Sequence, residues 1–206
     1  SISRVMCIEQ NFGPHIEQNS ALLKYSAGSA SSCSSRARAG SSASRYPRLT
    51  TVCTNFGSPS AARRRVMAVS TACSSSAKVF ASAARLIAAG LVDAAIVGGV
   101  DSLCQTTLYG FHALELLSPE VCRPWDAQRR GLSLGEGAAF ALLEREAAAA
   151  PCWLLGVGES NDGYHMSTPH PEGLGAIAAM RAAIADAALQ PAEIDYINLH
   201  GTATPS

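Results

Sequence analysis

Residues 66–99 constrain the fold more than any other part of this chain. Within residues 74–89 apolar side chains recur at helical spacing, and Gly90 follows where a helix commonly ends. A short apolar run precedes this segment at residues 66–69, and a second follows at residues 94–97. Short apolar runs of this kind are typical of buried strands. Strand, helix and strand joined by short links predict a right-handed βαβ unit in a buried parallel sheet.

The sequence after residue 99 continues to alternate between helical and strand-like patterns. It predicts helices over residues 107–117 and 174–188, with a glycine-containing loop over residues 122–137. Further apolar runs predict strands at residues 138–143, 153–157 and 195–199. The predicted fold class is therefore α/β, with the folded portion beginning near residue 64.

The first 92 residues differ in charge from the rest of the chain. They hold 11 basic and 2 acidic residues, whereas residues 93–206 hold 5 basic and 14 acidic residues. Residues 26–50 contain nine serines, five alanines and four arginines and show no helical or strand period. Three interpretations stay open: a disordered basic linker, a basic arm that binds nucleic acid, or a frame-shifted translation of GC-rich coding sequence.

Composition argues against several classes of protein. The chain has 16 basic and 16 acidic residues, so a nucleic-acid binder is not expected for the chain as a whole. No apolar run reaches the roughly 18 residues that a membrane span needs, and no secretion signal is recognised. The cysteines number seven, which is odd, and no two of them form a CxxC motif. No cluster of Cys and His has the spacing that zinc ligands show. We expect no disulfide framework, no metal site and a cytoplasmic location.

The sharpest local feature is Cys73, which follows the first predicted strand and precedes the predicted helix over residues 74–89. Backbone N–H groups and the positive end of a helix dipole would face its sulfur and favour the thiolate. The same N–H groups could stabilise an oxyanion formed when the thiolate attacks a carbonyl. The alternative is a buried, inert cysteine, which is the commonest role of this residue type.

A nucleophilic cysteine needs a histidine, and His200 is the best placed of the five. It lies at the carboxyl end of a predicted strand and precedes Gly201. Active sites of α/β folds gather at the carboxyl ends of strands. A hydrogen-bonded structural histidine is the alternative. His165 and His170 lie in a loop rich in proline and glycine and are expected to be exposed, and His112 is expected to be structural.

Six ordered sequence blocks resemble the β-ketoacyl-acyl-carrier-protein synthases, which are condensing enzymes of the thiolase-like superfamily. The resemblance covers roughly residues 66–206 and includes the 127-residue spacing from Cys73 to His200. It implies a thiolase-like layered α/β fold and a 3-oxoacyl synthase activity, with the tyrosine-histidine block closer to the synthase II type. The blocks are STACSSS, GGVDSL, GFHALELLS, CRPWDAQRRGLSLGEGAAFALLE, YHMSTPHPEG and YINLHGTATPS.

The resemblance also implies roles for individual residues. Cys73 matches the nucleophile that takes an acyl chain from a carrier-protein thioester, and His200 matches the first of two histidines that act on the malonyl group. Thr202 and Thr204 match threonines that bind the phosphopantetheine arm. Three further matches are Ser167 and Thr168 as a second contact with that arm and Phe111 as a lining residue of the acyl pocket. Glu136 matches a structural position.

The resemblance implies an acyl carrier protein as partner and a homodimer for the intact family, formed across the sheet that contains the strand after the cysteine helix. No metal or redox cofactor is implied, since the phosphopantetheine arrives on the carrier protein. The expected organisation is a low-complexity or frame-shifted segment at residues 1–64, a synthase N-terminal-type domain at 65–146 and the start of a C-terminal-type domain at 152–206.

The sequence departs from the family pattern in two places. Six residues follow His200, and the family's lysine, second histidine and Gly-Phe-rich loop are not among them. We therefore expect a fold with most of its second half absent and with exposed apolar surface along a sheet edge. Residues 1–206 alone are not expected to complete condensation. The alternatives are a catalytically incomplete fragment or pseudogene product without activity, and another thiolase-like acyltransferase.

Overall fold

The computed structural model describes residues 66–145, 150, 152–165 and 168–205, together with the backbone of three strands at residues 2–10, 18–27 and 48–50. These parts of the chain contain strands, three α-helices and one 3-10 turn at Pro191–Glu193. The α-helices are α1 (Ser75–Ala88), α2 (Gln105–Ala113) and α3 (Leu174–Asp186). The strands are β1 (Ile2–Gln10), β2 (Gln18–Ala27), β3 (Arg48–Thr50), β4 (Ala94–Asp101), β5 (Gly137–Glu144), β6 (Cys152–Asn161) and β7 (Tyr196–Asn198).

The strands form one sheet in the order β4-β5-β3-β6-β2-β1-β7. β2 pairs antiparallel with the whole length of β1. It also pairs antiparallel with β6, and the register of that pair shifts between Leu23 and Lys24. β3 pairs antiparallel with both β5 and β6, whereas β1 and β7 run parallel. The sheet is therefore mixed, with β4 and β7 at its two edges.

Helix α1 forms because small and aliphatic side chains recur along one face. Ala77, Ala81, Ala84 and Ile87 on that face are all buried. The core cluster around this helix adds a residue from each of three strands: Val97, Leu143 and Leu154. Removal of this apolar surface from water is the main force that holds the helix on the sheet. Arg145 donates a hydrogen bond to the carbonyl of Ile87 near the end of the helix.

Helix α3 lies against β6 at a stripe of residues without bulky side chains. Ala179 and Ala183 of the helix are fully buried. The strand presents Gly156 and Gly158 to this face, and a Cβ on Gly158 would overlap the carbonyl oxygen of Ala179. The close approach of helix and strand therefore depends on the absence of a side chain at Gly158.

The chain divides into two compact units. Unit 1 consists of residues 1–97 and 140–198, and unit 2 consists of residues 98–139 and 199–206. Within the described residues, no helix has both the length and the apolar character required to cross a membrane.

The structure confirms most of the elements predicted after residue 70. Helices occur at the three predicted places, although α2 spans 105–113 rather than 107–117. Strands occur near the predicted runs at 94–97, 138–143, 153–157 and 195–199. Residues 122–137 form the predicted loop.

The prediction of a buried strand at residues 66–69 is wrong. This segment is irregular, and Val66 and Met67 are 93% and 59% exposed. A run of four apolar residues forms a strand only where a neighbouring strand can pair with it. The predicted βαβ unit is therefore absent, and the strands joined to β6 are antiparallel.

Regular structure also begins earlier than the expected boundary near residue 64. The backbone forms β1, β2 and β3 within residues 2–50. β2 contains the apolar stretch Ala21-Leu22-Leu23, which suits a strand paired on both sides. Most of the serine-rich stretch, over residues 28–47, lies outside the described residues.

Candidate active site

Cys73 lies immediately before the N-terminus of α1, as the helical pattern predicted. Ser74 is the N-cap residue and is fully buried, whereas Cys73 is half-buried. Serine and threonine hydroxyls close the turn around this position. Ser74 Oγ donates to the carbonyl oxygen of Thr71 at 2.9 Å, and Ser75 Oγ accepts from the Thr71 N–H at 2.8 Å. Two of the three serines that follow the cysteine, Ser74 and Ser75, therefore hold its turn.

The backbone just before the cysteine is held in a rarely populated conformation. Ala72 has φ +48°, in the left-handed region that costs a residue with a Cβ about 1–2 kcal/mol. Ser75 holds this turn twice, since its N–H and its Oγ both donate to the carbonyl oxygen of Ala72, at 3.0 and 2.6 Å. Strain of this kind is characteristic of functional sites. The turn places Cys73 at the positive end of the α1 dipole, where a thiolate is stabilised.

An ion-pair network fixes α1 to β6 through two basic residues of the helix that follows the cysteine. Lys78 Nζ and Arg85 Nη1 each lie 2.7 Å from a different carboxylate oxygen of Glu159. Burial raises the pKa of the Glu159 carboxyl, but the hydrogen bonds and positive charges of Lys78 and Arg85 outweigh burial and lower the pKa below its ordinary value. The carboxylate is therefore ionised at neutral pH and anchors the helix that carries the cysteine.

In unit 2, His200 lies in the short segment that follows β7. The imidazole is half-buried, and its Nε2 atom is shielded from solvent. Burial lowers the pKa of His200 below its ordinary value of 6.5, since the charged form is disfavoured away from water. The side chain is consequently neutral at pH 7 and can offer one ring N–H as a hydrogen-bond donor.

Two threonine hydroxyls lie together just after His200. Thr202 Oγ1 and Thr204 Oγ1 are 2.9 Å apart, and Thr204 is only 8% exposed. The Thr204 N–H also points to Thr202 Oγ1 at 3.5 Å. The resulting pair of hydroxyls can donate and accept hydrogen bonds together, as an amide-containing ligand requires.

Arg129 holds this segment, although the sequence analysis did not single it out. Its Nε donates to the Thr204 carbonyl oxygen at 2.8 Å, and its Nη2 lies 3.3 Å from the Pro205 carbonyl oxygen. The third nitrogen, Nη1, donates to the Asp126 carbonyl oxygen at 3.2 Å. The only signal in the sequence is an Arg129-Arg130 pair in a loop. A loop has no periodicity that tells which arginine faces the protein.

The other predicted residues of unit 2 occupy α2 and the loop around it. Phe111 lies on α2 and is half-buried. Glu136 accepts a hydrogen bond from the Leu103 N–H at 3.3 Å and so joins the segment before α2 to the start of β5. This contact agrees with the structural part expected of Glu136. Phe111 has a partly sheltered ring, as a pocket-lining residue would have.

The second predicted threonine-containing contact lies in unit 1. Thr168 is exposed in a bend between β6 and α3, and Ser167 lies outside the described residues. Asp162 organises this loop, since its carboxylate accepts from the N–H groups of Tyr164 and His170 at 3.1 Å each. The rings of Tyr164 and His170 also meet edge to face, 4.9 Å apart. His170 is therefore half-buried and held in the loop rather than freely exposed as expected.

The structure brings together the predicted site residues that belong to the segment after β7. His200, Thr202 and Thr204 share this segment, which we call the threonine loop (residues 199–205). Phe111 belongs to the same unit 2, whereas Cys73 and Thr168 belong to unit 1. Each unit thus carries one part of the predicted chemistry: the thiol in unit 1, and the imidazole with the hydroxyl pair in unit 2.

Comparison with known protein families finds two matches that together extend over most of the chain. The N-terminal domain of β-ketoacyl synthases matches residues 25–149, and the C-terminal domain of β-ketoacyl synthases matches residues 152–206.

Individual relatives agree with the family matches. The chain is 42% identical over 149 residues to nodulation protein E of Rhizobium leguminosarum bv. trifolii, covering 69% of this chain and 37% of that protein. It is 41% identical over 150 residues to 3-oxoacyl-[acyl-carrier-protein] synthase 2 of Rhizobium meliloti (strain 1021), covering 66% of this chain and 36% of that protein. The chain thus spans a little over a third of the length of these relatives.

A solved structure gives the same result. A ketosynthase from Xenorhabdus doucetiae, determined in complex with its chain length factor, superposes with a TM-score of 0.64 at 55% identity. The similarity covers 66% of this chain and 34% of the ketosynthase. The thiolase-like α/β fold predicted from the sequence, with part of that fold absent, is thereby confirmed.

Proposed function

Because the chain belongs to the β-ketoacyl synthase family, we propose that it is the acyl-accepting part of a 3-oxoacyl-[acyl-carrier-protein] synthase. The observation that carries this proposal is the position of Cys73 at the N-terminus of α1, in a strained turn held by the hydroxyls of Ser74 and Ser75. A thiolate there is stabilised by the helix dipole and is presented by a turn that local hydrogen bonds fix.

The first step would be a transfer of the acyl group to Cys73. The thiolate attacks the carbonyl carbon of the carrier-protein thioester and forms a tetrahedral oxyanion. Collapse of this intermediate forms the new thioester on Cys73 and breaks the bond to the phosphopantetheine sulfur, which leaves as a thiolate and takes up a proton. Backbone N–H groups at the start of α1 are suited to stabilise the oxyanion.

The second step, in the intact protein, would be a decarboxylative condensation with malonyl-carrier protein. Loss of CO2 leaves an enolate, whose carbon attacks the acyl-Cys73 carbonyl and forms a C–C bond as the Cys73 thiolate departs. Neutral His200 would donate its ring N–H to the malonyl thioester carbonyl and stabilise the enolate. The lowered pKa of His200 supports this role as a hydrogen-bond donor, since the neutral form predominates at pH 7.

The carrier protein would deliver both substrates on a phosphopantetheine arm. Thr202 and Thr204 would bind the arm through their paired hydroxyls, and Thr168, with Ser167, would supply a second contact. Phe111 would line the acyl pocket. No resident cofactor or metal is proposed for this chemistry, because the carrier protein brings the phosphopantetheine itself.

We propose that the intact protein pairs with a second ketosynthase-like chain along β4. This strand follows the cysteine helix and lies at the edge of the sheet, with Ile96 and Val100 57% and 66% exposed. An edge strand with exposed aliphatic side chains can pair with a second chain. A second copy is the partner that the family resemblance implies for the intact protein. A chain length factor is the other candidate, since the ketosynthase from Xenorhabdus doucetiae was solved with one.

The proposed organisation keeps an N-terminal-type domain at 65–146 and the beginning of a C-terminal-type domain at 152–206. The family matches at residues 25–149 and 152–206 support a boundary near residue 150. A cytoplasmic location and a pathway of fatty acid or polyketide synthesis complete the proposal.

Incubation with an acyl-carrier-protein thioester tests the proposal. We expect one equivalent of acyl group on the protein for each equivalent of carrier-protein thiol released, as measured by intact mass and thiol titration. Addition of malonyl-carrier protein is expected to yield no 3-oxoacyl product with residues 1–206 alone. A folded protein that takes up no acyl group would favour the alternative of a fragment without independent activity.

A further inference from the structure

The threonine loop contains two residues in the left-handed region. Gly201 has φ +56°, which glycine adopts at no steric cost, but Ala203 has φ +62° and carries a Cβ. Ala203 is also 96% buried, with a relative exposure of 4%. A short segment with a strained alanine needs contacts from outside itself in order to keep one conformation.

Those contacts come from the loop around Arg129. The Gly131 N–H donates to the Ala203 carbonyl oxygen at 2.9 Å. The Arg129 guanidinium reaches the next two carbonyl oxygens along the chain, those of Thr204 and Pro205, at 2.8 and 3.3 Å. Three consecutive carbonyl oxygens of the threonine loop are therefore held by residues 129–131.

The planar guanidinium suits this task in a way that a lysine does not. Its donors leave the side chain in a fixed fork, so that one rigid group can contact two carbonyls of the loop and also the Asp126 carbonyl, at 3.2 Å. A lysine ammonium is a single point on a flexible stem. The contact to the Asp126 carbonyl fixes the Arg129 side chain to the turn over residues 126–129. Through Arg129 this turn supports the threonine loop.

We propose that Arg129 is a positioning residue that sets the Thr202–Thr204 hydroxyl pair for binding the phosphopantetheine arm of the substrate. This inference rests on the proposed function of the two threonines. Arg129 acts through the backbone of Thr204 and Pro205 and does not itself touch the substrate.

The neighbouring Arg130 provides a matched control. Its side chain is 60% exposed and its Nη1 lies 3.4 Å from an oxygen of Glu120. An exposed pair with this geometry contributes little to structure. Arg129→Lys and Arg130→Lys therefore make the same chemical change one residue apart, and only the first removes the fork that holds the threonine loop.

Hydrogen exchange and cysteine alkylation measure the loop directly. We expect Arg129→Lys to speed amide exchange over residues 201–204 about tenfold, as the loss of a charge-assisted hydrogen bond implies. Cys122 reports on the same loop, because its Sγ lies 3.8 Å from the Thr202 carbonyl oxygen, and its alkylation by iodoacetamide is expected to accelerate. Alkylation of the exposed Cys104 and amide exchange in α1 should stay unchanged, and Arg130→Lys should match the unsubstituted protein.

Single-turnover kinetics of Cys73 acylation then separate positioning from a general effect on folding. With an acyl-phosphopantetheine donor, Arg129→Lys is expected to raise the donor concentration for half-maximal acylation rate about tenfold and to leave the limiting rate nearly unchanged, because binding of the arm and not the attack by Cys73 is affected. Arg129→Gln, which keeps a neutral donor, replaces the lysine variant if that variant does not fold.

Two results would overturn the inference. Equal exchange over residues 201–204 in the Arg129 and Arg130 variants would show that the guanidinium does not hold the loop. A half-saturating donor concentration that matches the Arg130 control despite faster exchange would show that the loop does not position the arm. Absence of acyl transfer in the unsubstituted protein would instead overturn the proposed function and with it the link to substrate, while the exchange measurement would still decide whether Arg129 holds the loop.

Discussion

At the residue scale, left-handed backbone conformations occur beside the residues that the sequence associates with chemistry. Ala72 precedes Cys73, and Ala203 lies between Thr202 and Thr204. Each costs roughly 1–2 kcal/mol and is held by nearby hydrogen bonds. Ser75 secures the first, and the segment around Arg129 secures the second. Strain at these two positions is thus compatible with a stable fold only because neighbouring groups hold it.

A pH titration of His200 tests its environment. Burial lowers its folded pKa below 6.5, so its contribution to stability is present above pH 6.5 and is lost as the pH falls through the lowered folded value. The imidazole proton signal in an NMR titration should therefore have its midpoint below 6.5. The same signal in urea-unfolded protein is the control, and its titration midpoint should lie at about pH 6.5. A folded midpoint at or above the unfolded one would contradict the assignment.

The residue-level predictions succeed where a local pattern fixes the position. Cys73 is found before a helix because the periodicity of residues 74–89 defines where that helix begins. Arg129 could not be predicted in the same way, because two of its partners, the carbonyl groups of Thr204 and Pro205, lie 75 and 76 positions away in the chain. Contacts of this kind depend on tertiary structure, which periodicity does not contain.

At the element scale, the Glu159 network joins the cysteine helix to β6. We expect Glu159→Gln to lower the free energy of unfolding by about 1 kcal/mol at pH 7, since the variant loses two charge-assisted hydrogen bonds on a partly exposed surface. Because the folded pKa of Glu159 lies below its ordinary value of 4.5, its contribution is complete above pH 4.5 and is lost as the pH falls through the lowered folded value.

Urea unfolding at several pH values measures this difference. Glu120→Gln is the control, since Glu120 is exposed and pairs with Arg123 and Arg130 at 3.5 and 3.4 Å. The network is refuted if both variants lose the same stability, or if the Glu159→Gln difference does not change with pH.

The packing of α3 on β6 gives a second prediction at this scale. Gly158→Ala is expected to lower the free energy of unfolding by about 2–3 kcal/mol, because its Cβ would overlap the Ala179 carbonyl oxygen and lie 2.5 Å from the Ala183 nitrogen. Gly99→Ala in β4 is the control, because a Cβ there meets no atom within 4 Å. Thermal unfolding distinguishes them, and a tolerated Gly158→Ala would show that the helix lies farther from the strand.

Elements with long periodic patterns were predictable, and the short ones were less so. Helices α1 and α3 have 14 and 13 residues, which is enough turns to define an apolar face. The run at 66–69 resembles a strand, but among the residues that the structure describes no strand pairs with it, whereas β1 and β2 lie in a segment that composition placed outside the fold. Strand pairing is non-local, so sequence alone could not give the antiparallel order around β6.

At the scale of the whole molecule, the chain divides its predicted chemistry between two units. Unit 1 carries the thiol on α1, and unit 2 carries His200 and the threonine loop. The chain spans about 37% of nodulation protein E of Rhizobium leguminosarum bv. trifolii and 36% of synthase 2 of Rhizobium meliloti (strain 1021). The acyl transfer that we propose uses the thiol of unit 1.

The most direct test of this account is to locate the acyl group after incubation with an acyl-carrier-protein thioester. Peptide mass mapping should find the acyl mass on the peptide that contains Cys73, and Cys73→Ala should abolish it. Cys104→Ala is the matched control, since Cys104 also precedes a helix. This variant should be acylated to the same extent as the unsubstituted protein. An acyl group on another residue, or acylation that persists in Cys73→Ala, would contradict the account.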